Sequence, residues 1–126
     1  MDFNVLREYI VADQEINALV GENVFLFERP EQLTCDDYIV YSPKELRSVG
    51  GGVRAYQIDI RVISKDKLKL LTIKDRLISL LDNHNRATHI QDSETRIRKI
   101  RLINGGGIAK ADNGDYHAFL YFYAIV

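Results

Sequence analysis

Patterning along this chain predicts an α+β architecture: a mostly antiparallel sheet packed by two helices, in the order α-β-β-β-α-(β)-β-β. Three observations carry the prediction. "RAYQIDIRVIS", from Arg54, alternates apolar and polar residues with the period of a half-buried strand. The next segment switches to helical spacing, with Leu70, Ile73, Leu77, Leu80 and Leu81 in one stripe widened by Leu71 and Ile78. The closing "AFLYFYAIV" is apolar on both faces of an extended chain.

The elements follow in order. "DFNVLREYIVADQEINALVG" reads as helix, with Leu6, Tyr9, Ile10, Ile16, Leu19 and Val20 at helical spacing. Asp2 can cap its start, Gly21 stops it, and Asp13 to Glu15 mark a candidate kink or brief break in the pattern. A short strand follows at Asn23–Phe27, ended by Pro30. A second strand is expected at Tyr38–Tyr41, bounded by Pro43, with residues 44–53 as a polar, glycine-bearing link. Ser64 or Asp66 can cap the second helix and Asn83 can end it. Arg86 to Gln91 offer a short edge strand. "TRIRKIRLI" and "DYHAFLYFYAIV" are the last two strands, and "NGGGIAKADNGD" between them reads as a long hairpin loop with a mobile tip.

The last strand makes the strongest physical demand. Phe119, Tyr121, Tyr123 and Ile125 share one face, and Leu120, Phe122, Ala124 and Val126 the other. Helices can cover one. The second needs another layer or another subunit.

Length and composition set bounds. At 126 residues, one domain spanning 1–126 is expected. Net charge is −1, so no global field points to nucleic acid or a membrane. Residues 1–50 carry ten acidic groups against four basic, and residues 51–126 eight against thirteen. That split either gives the molecule acidic and basic sides or averages out as the halves interleave. Cys35 is the only cysteine, so no intramolecular disulfide can form, and a reducing compartment fits. The opening lacks the basic start and apolar core of a secretory signal, and the longest apolar run is far short of the roughly 20 residues that span a bilayer. A soluble protein with no membrane partner is expected.

Catalytic chemistry finds little support. Both glycine clusters, 50–52 and 105–107, sit between strands, with no helix N-terminus and no Gly-Lys-Ser/Thr beside them, against nucleotide binding. His84, His89 and His117 form no metal-ligand pattern, and His117 reads as a packed or rim histidine. Cys35 beside Asp36 and Asp37 lacks basic neighbours in sequence that would activate it, and the two acids read as turn caps before a strand. No Gly-x-Ser-x-Gly elbow is present. No enzyme, cofactor or metal is expected. The basic run Arg96, Arg98, Lys99, Arg101 would, by alternation, split between two faces, Arg96 and Arg98 on one and Lys99 and Arg101 on the other. It suits edge protection or subunit ion pairs better than a nucleic-acid surface.

"INALVGENVF", "DYIVYSP", "YQIDIRVIS" running into "LLTIKDRLISLLD", and "GDYHAFLYFYAIV" cover most of the chain in a familiar order. In these stretches the chain resembles the tail-completion, or tail-terminator (head–tail joining), proteins of long-tailed bacteriophages. The resemblance implies a non-enzymatic virion protein of the tail or neck, in the host cytoplasm during assembly. It would form a homo-oligomeric, hexameric ring that caps the tail-tube protein and joins it to the head-closure or connector protein, with DNA passing through the hole. It makes the loops 44–54 and 104–115 candidates for docking or lumen contact. The candidate interface residues are then Lys44, Arg47, Arg54, Arg96, Arg98, Lys99, Arg101, Lys110 and Asp112. Residues 28–37 depart from the more proline-rich form expected there. Two alternatives stand beside this reading: a head-closure or connector ring of the same virion, and a small intracellular enzyme or ligand-binding module. A deep closed pocket lined by His89, His117 or Asp59 would favour the last.

Overall fold

The computed structural model of the chain describes residues 3–50, 52–82, 90, 91, 93 and 95–126, and of residues 47–50 the backbone alone. Asp2, Asn83, His84, His89 and the first part of the strand expected at Arg86–Gln91 lie outside the described residues. The described elements are α1 (Asn4–Ala12), α2 (Gln14–Val20), β1 (Val24–Leu26), β2 (Tyr38–Gly50), β3 (Val53–Ser64), α3 (Lys67–Leu81), β4 (Ile90–Gln91), β5 (Arg96–Ile97), β6 (Lys99–Asn104), β7 (Ile108–Lys110) and β8 (Tyr116–Ile125). The fold is α+β, as the patterning predicts, with three helices in place of two because Asp13 ends α1 and caps α2.

One sheet runs β1-β2-β3-β8-β6, with β7 also on β8. β1 lies parallel to β2, and the other pairs are antiparallel. The inner face carries Tyr56, Ile58, Ile60 and Val62 of β3 and Ala118, Leu120, Phe122 and Ala124 of β8, all buried. Leu70, Ile73, Leu77 and Leu81 of α3 lie in the same core, each fully enclosed. A buried leucine or isoleucine stabilises by about 1.5–3 kcal/mol, so this seam is a major anchor. Phe3 meets Tyr56 edge-on at 4.8 Å, which ties α1 to β3.

Polar clips fix the helices. The Asp66 side chain accepts from the N–H groups of Leu68 and Lys69 and starts α3. The fully buried Ser64 donates to Asp37, whose other oxygen takes Lys69 Nζ at 2.7 Å. Asp37 is thus a structural clamp between the end of β3, the start of α3 and the strand it precedes. Arg76 donates from Nε and Nη2 to Asp13 at 3.0 and 2.6 Å, which locks α3 to the α1–α2 junction. With Glu45–Arg54 and Glu15–Arg76, these pairs join acids of the first 50 residues to bases of the rest, so the two halves interleave.

Four expectations are corrected. β2 does not stop at Pro43; it continues to Gly50, and residues 44–53 are mostly strand, forming a long hairpin with β3. The N–H of Ile39 and the C=O of Tyr41 point toward β1, so by alternation the nitrogen of Pro43 points the same way, beyond the end of β1, where no bond is lost. Second, "TRIRKIRLI" is two strands. Ile97 and Ile100 are both buried, and a three-residue interval cannot keep both on one face of a regular strand. The break falls at Arg98, whose N–H bonds Ile125. Third, "NGGGIAKADNGD" is not one loop: β7 lies within it, the three glycines form a bulge between β6 and β7, and the turn is only residues 111–115. Fourth, Ile90–Gln91 pairs with β5 in a separate two-stranded piece, not at the edge of the main sheet.

Candidate interaction surface

Residues paired across adjacent strands share a face. The register therefore lays out the outer face of the sheet in rows. Lys44, Gln57, Tyr123 and Arg101 make one row across β2, β3, β8 and β6. Ser42, Asp59, Tyr121 and Asn104 make the next, and Phe25, Val40, Arg61 and Phe119 the one after. An aromatic stripe, Phe119, Tyr121 and Tyr123 with Ile125 at its end, runs up the middle. All four are partly exposed, whereas Ala118, Leu120, Phe122 and Ala124 on the inner face of β8 are fully buried. The second face of β8 is thus only half covered by this chain.

A cavity of about 280 Å³ opens on this face, lined by Phe27, Val40, Ser42, Asp59, Arg61, Phe119 and Tyr121 among others. Its rim residue Phe27 is 58% exposed and sits at φ 66. A left-handed conformation costs a non-glycine residue about 1–2 kcal/mol, and this ring recovers little of that by burial. Gln57 donates to Asp59 at 2.7 Å, so that carboxylate is engaged. Arg61 differs. Its Nε is shut from solvent and has no hydrogen-bond partner among the described residues.

Nearby titratable groups are tuned by the same surroundings. Burial, with the Arg61 charge adding to it, holds His117 below its ordinary value of 6.5. Its ring stacks on Phe119 at 6.4 Å, the packed-histidine arrangement. Burial pushes the Cys35 thiol up despite the opposing charge of Arg29, a basic neighbour not foreseen from the sequence. Arg29 also lies 5.4 Å over the Tyr38 ring.

The candidate interface residues fall in three places. Lys44 is exposed on β2, and Arg54 on β3 pairs with Glu45 at 3.7 Å; Arg47 lies on β2 beside the bulge that follows Glu45. Arg96, Arg98, Lys99 and Arg101 are all exposed, but the break at Arg98 removes the strict alternation expected of them. Lys99 and Arg101 belong to the outer face, Arg101 lying 5.6 Å over the Tyr123 ring. Lys110 on β7 lies 5.4 Å over Tyr116, and Asp112 is exposed in the turn beyond. The register thus brings Lys44, Lys99 and Arg101 onto one face, flanking the aromatic stripe, while Lys110 and Asp112 sit at the other end of β8. Sequence reasoning missed Arg61 and Phe27. Arg61 looked like any solvent-facing residue of an alternating strand.

The outer-face cavity is lined by Asp59, but His117 is not among its principal lining residues, and His89 lies outside the described residues. Among the described residues no group of three or more His, Cys, Asp or Glu can hold a metal. No helix there is long and apolar enough to cross a membrane.

This fold is shared with a virion component. A chain in the virion of a native gene transfer agent particle superposes with a TM-score of 0.75 at 16% identity, covering 97% of this chain and 90% of that one. A second solved structure, whose name states no role, superposes at 0.63 with 10% identity over 98% of this chain and 89% of that one. No family model and no curated protein matches the sequence. At such identities the likeness is one of fold.

Proposed function

We propose that this chain is a non-enzymatic structural protein of a phage-like virion, a single domain that assembles as a hexameric ring, caps the tail tube and joins the tail to the head connector. The observation that carries the reading is the near end-to-end likeness to a chain of a gene transfer agent virion. The half-covered aromatic face of β8 supports it, since a ring subunit keeps a face for its neighbour. The cationic residues Lys44, Lys99 and Arg101 suit subunit ion pairs, with non-specific contact to DNA in the lumen as their other use. The test is to add purified protein to isolated tail tubes and image them by cryo-electron microscopy. A ring at one tube end supports the proposal. Bare tube ends, together with binding to portal-side proteins, would transfer the chain to the head-closure reading, and bare ends with no such binding would remove the ring reading altogether. A small-molecule module is the remaining reading, favoured only by the outer-face cavity; a saturable ligand there would support it.

A further inference from the structure

We propose that the cavity around Arg61 is a socket for a second copy of this chain, which seats a carboxylate of its α1–α2 surface against the guanidinium. This deepens the ring reading and rests on it. Arg61 is only half-buried, with Nε on the enclosed side of its guanidinium and no partner for it among the described residues, so a carboxylate meeting the rest of the group would offset part of the cost of enclosing that charge. Around it lie Phe27, Phe119 and Tyr121, ready to be covered once a partner excludes water. Asp59, the one carboxylate among the described residues that line the socket, has one oxygen engaged by Gln57 and makes no hydrogen bond to Arg61 Nε.

Charge complementarity selects the occupant. The outer face presents Arg61, Lys44, Lys99 and Arg101. The α1–α2 region presents exposed Glu8, Glu15 and Glu22. Among the described residues Glu8 and Glu15 make long, exposed pairs, at 3.8 and 3.4 Å with Arg7 and Arg76, which cost little to exchange. Glu22 sits in a turn whose backbone Arg7 holds by hydrogen bonds to Glu22 O and Val24 O, both at 2.9 Å, so it is presented on a fixed frame. The helices pack on the inner face, so socket and acids occupy opposite layers of the molecule. Joining them gives a head-to-tail contact, the kind that closes into rings.

The experiment follows assembly by sedimentation velocity, alone and on tail tubes, for the wild type, Arg61→Glu, Arg61→Gln and the double variant Glu8→Lys/Glu22→Lys. Circular dichroism melts confirm that each is folded, and Phe27→Asn, which suits the positive φ and is mostly exposed, probes the rim without touching the core. Each Arg61 variant and the double variant should need at least about tenfold more protein to assemble. Mixing Arg61→Glu with Glu8→Lys/Glu22→Lys should restore assembly, because each socket then meets the opposite charge. If the wild type forms rings and the Arg61 variants form them equally well, the socket is refuted and the ring reading stands. If the mixture stays apart while each single lesion is disruptive, the α1–α2 occupant is refuted. If the wild type never assembles, alone or on tubes, the ring reading falls and takes the socket with it.

Discussion

Gly106→Ala should be the most damaging small substitution at the sheet edge. Gly106 has φ +60, and a Cβ built there would lie 1.7 Å from Phe119 O and 2.6 Å from Phe119 C. Those are backbone atoms in the middle of β8, so neither a rotamer change nor a flexible side chain can make room. Contacts under 3.0 Å essentially never occur for a real Cβ, so the bulge must retreat by more than an ångström. That movement breaks the Phe119 N–H bond to Gly107 O, now 3.2 Å, worth about 1 kcal/mol. The left-handed backbone costs alanine about 1–2 kcal/mol more. The total, about 2–3 kcal/mol, corresponds to a fall of about 8–12 °C in Tm for a domain of this size. The assay is a thermal melt with Gly105→Ala and Gly107→Ala as controls, since nothing lies within 4 Å of a Cβ at either. Faster amide exchange at Phe119 should accompany the loss. A Gly106→Ala protein that melts with its two controls would refute the bulge geometry.

Asp13→Ala removes the α2 cap at Ile16 and both Arg76 bonds, and should lower stability by at least about 1 kcal/mol from the cap alone in denaturant unfolding. Chiefly through Arg76, the Asp13 carboxyl titrates below its ordinary 3.8, so its contribution is present above that pH and lost as pH falls through and below it; Asp13→Asn should flatten that part of the acid titration. His117 is held below 6.5, so the fold favours its neutral form and stability should fall as pH drops below 6.5; His117→Gln should remove that slope between 6.5 and the lowered value, read by melts at stepped pH. Charge reversal at Arg96 and Arg98, both exposed, should shift any oligomer toward monomer in light scattering; unchanged assembly would separate them from the subunit contact.

The core was legible because its signals are periodic. The alternation from Tyr56 to Val62 names a face that is buried as read, and the stripe from Leu70 to Leu81 holds at Leu70, Ile73, Leu77 and Leu81, with Leu80, Leu71 and Ile78 only half-buried at its margin. What misled was punctuation. Pro43 reads as a stop, but a proline breaks a strand only where its N–H is needed, and neighbour β1 ends first. Gly105–Gly107 read as part of a loop, but Gly106 serves a close approach to β8, which depends on a partner strand that local sequence does not name. The Asp13 break is legible as a kink or brief interruption, but what fixes it, the cap on Ile16 together with Arg76 of α3, involves a side chain far along the chain. Arg61 and Phe27 could not be found by pattern. One is significant for a bond it lacks and the other for an unfavourable φ, and both are properties of three-dimensional placement.

Pro43 has a consequence for how copies can add to one another. Beyond Tyr41 the margin of β2 has no strand neighbour among the described residues, and at its first open position it offers no donor. On the far side, the run beside β8 is interrupted at Gly105–Gly107 and studded with Lys99 and Arg101. A newcomer adding as an extra strand meets a missing donor at one margin and an interrupted, charged run at the other, so growth into endless ribbons is discouraged. In the proposed ring, copies would meet through their broad sides, where a fixed angle between neighbours can bring the last one back to the first.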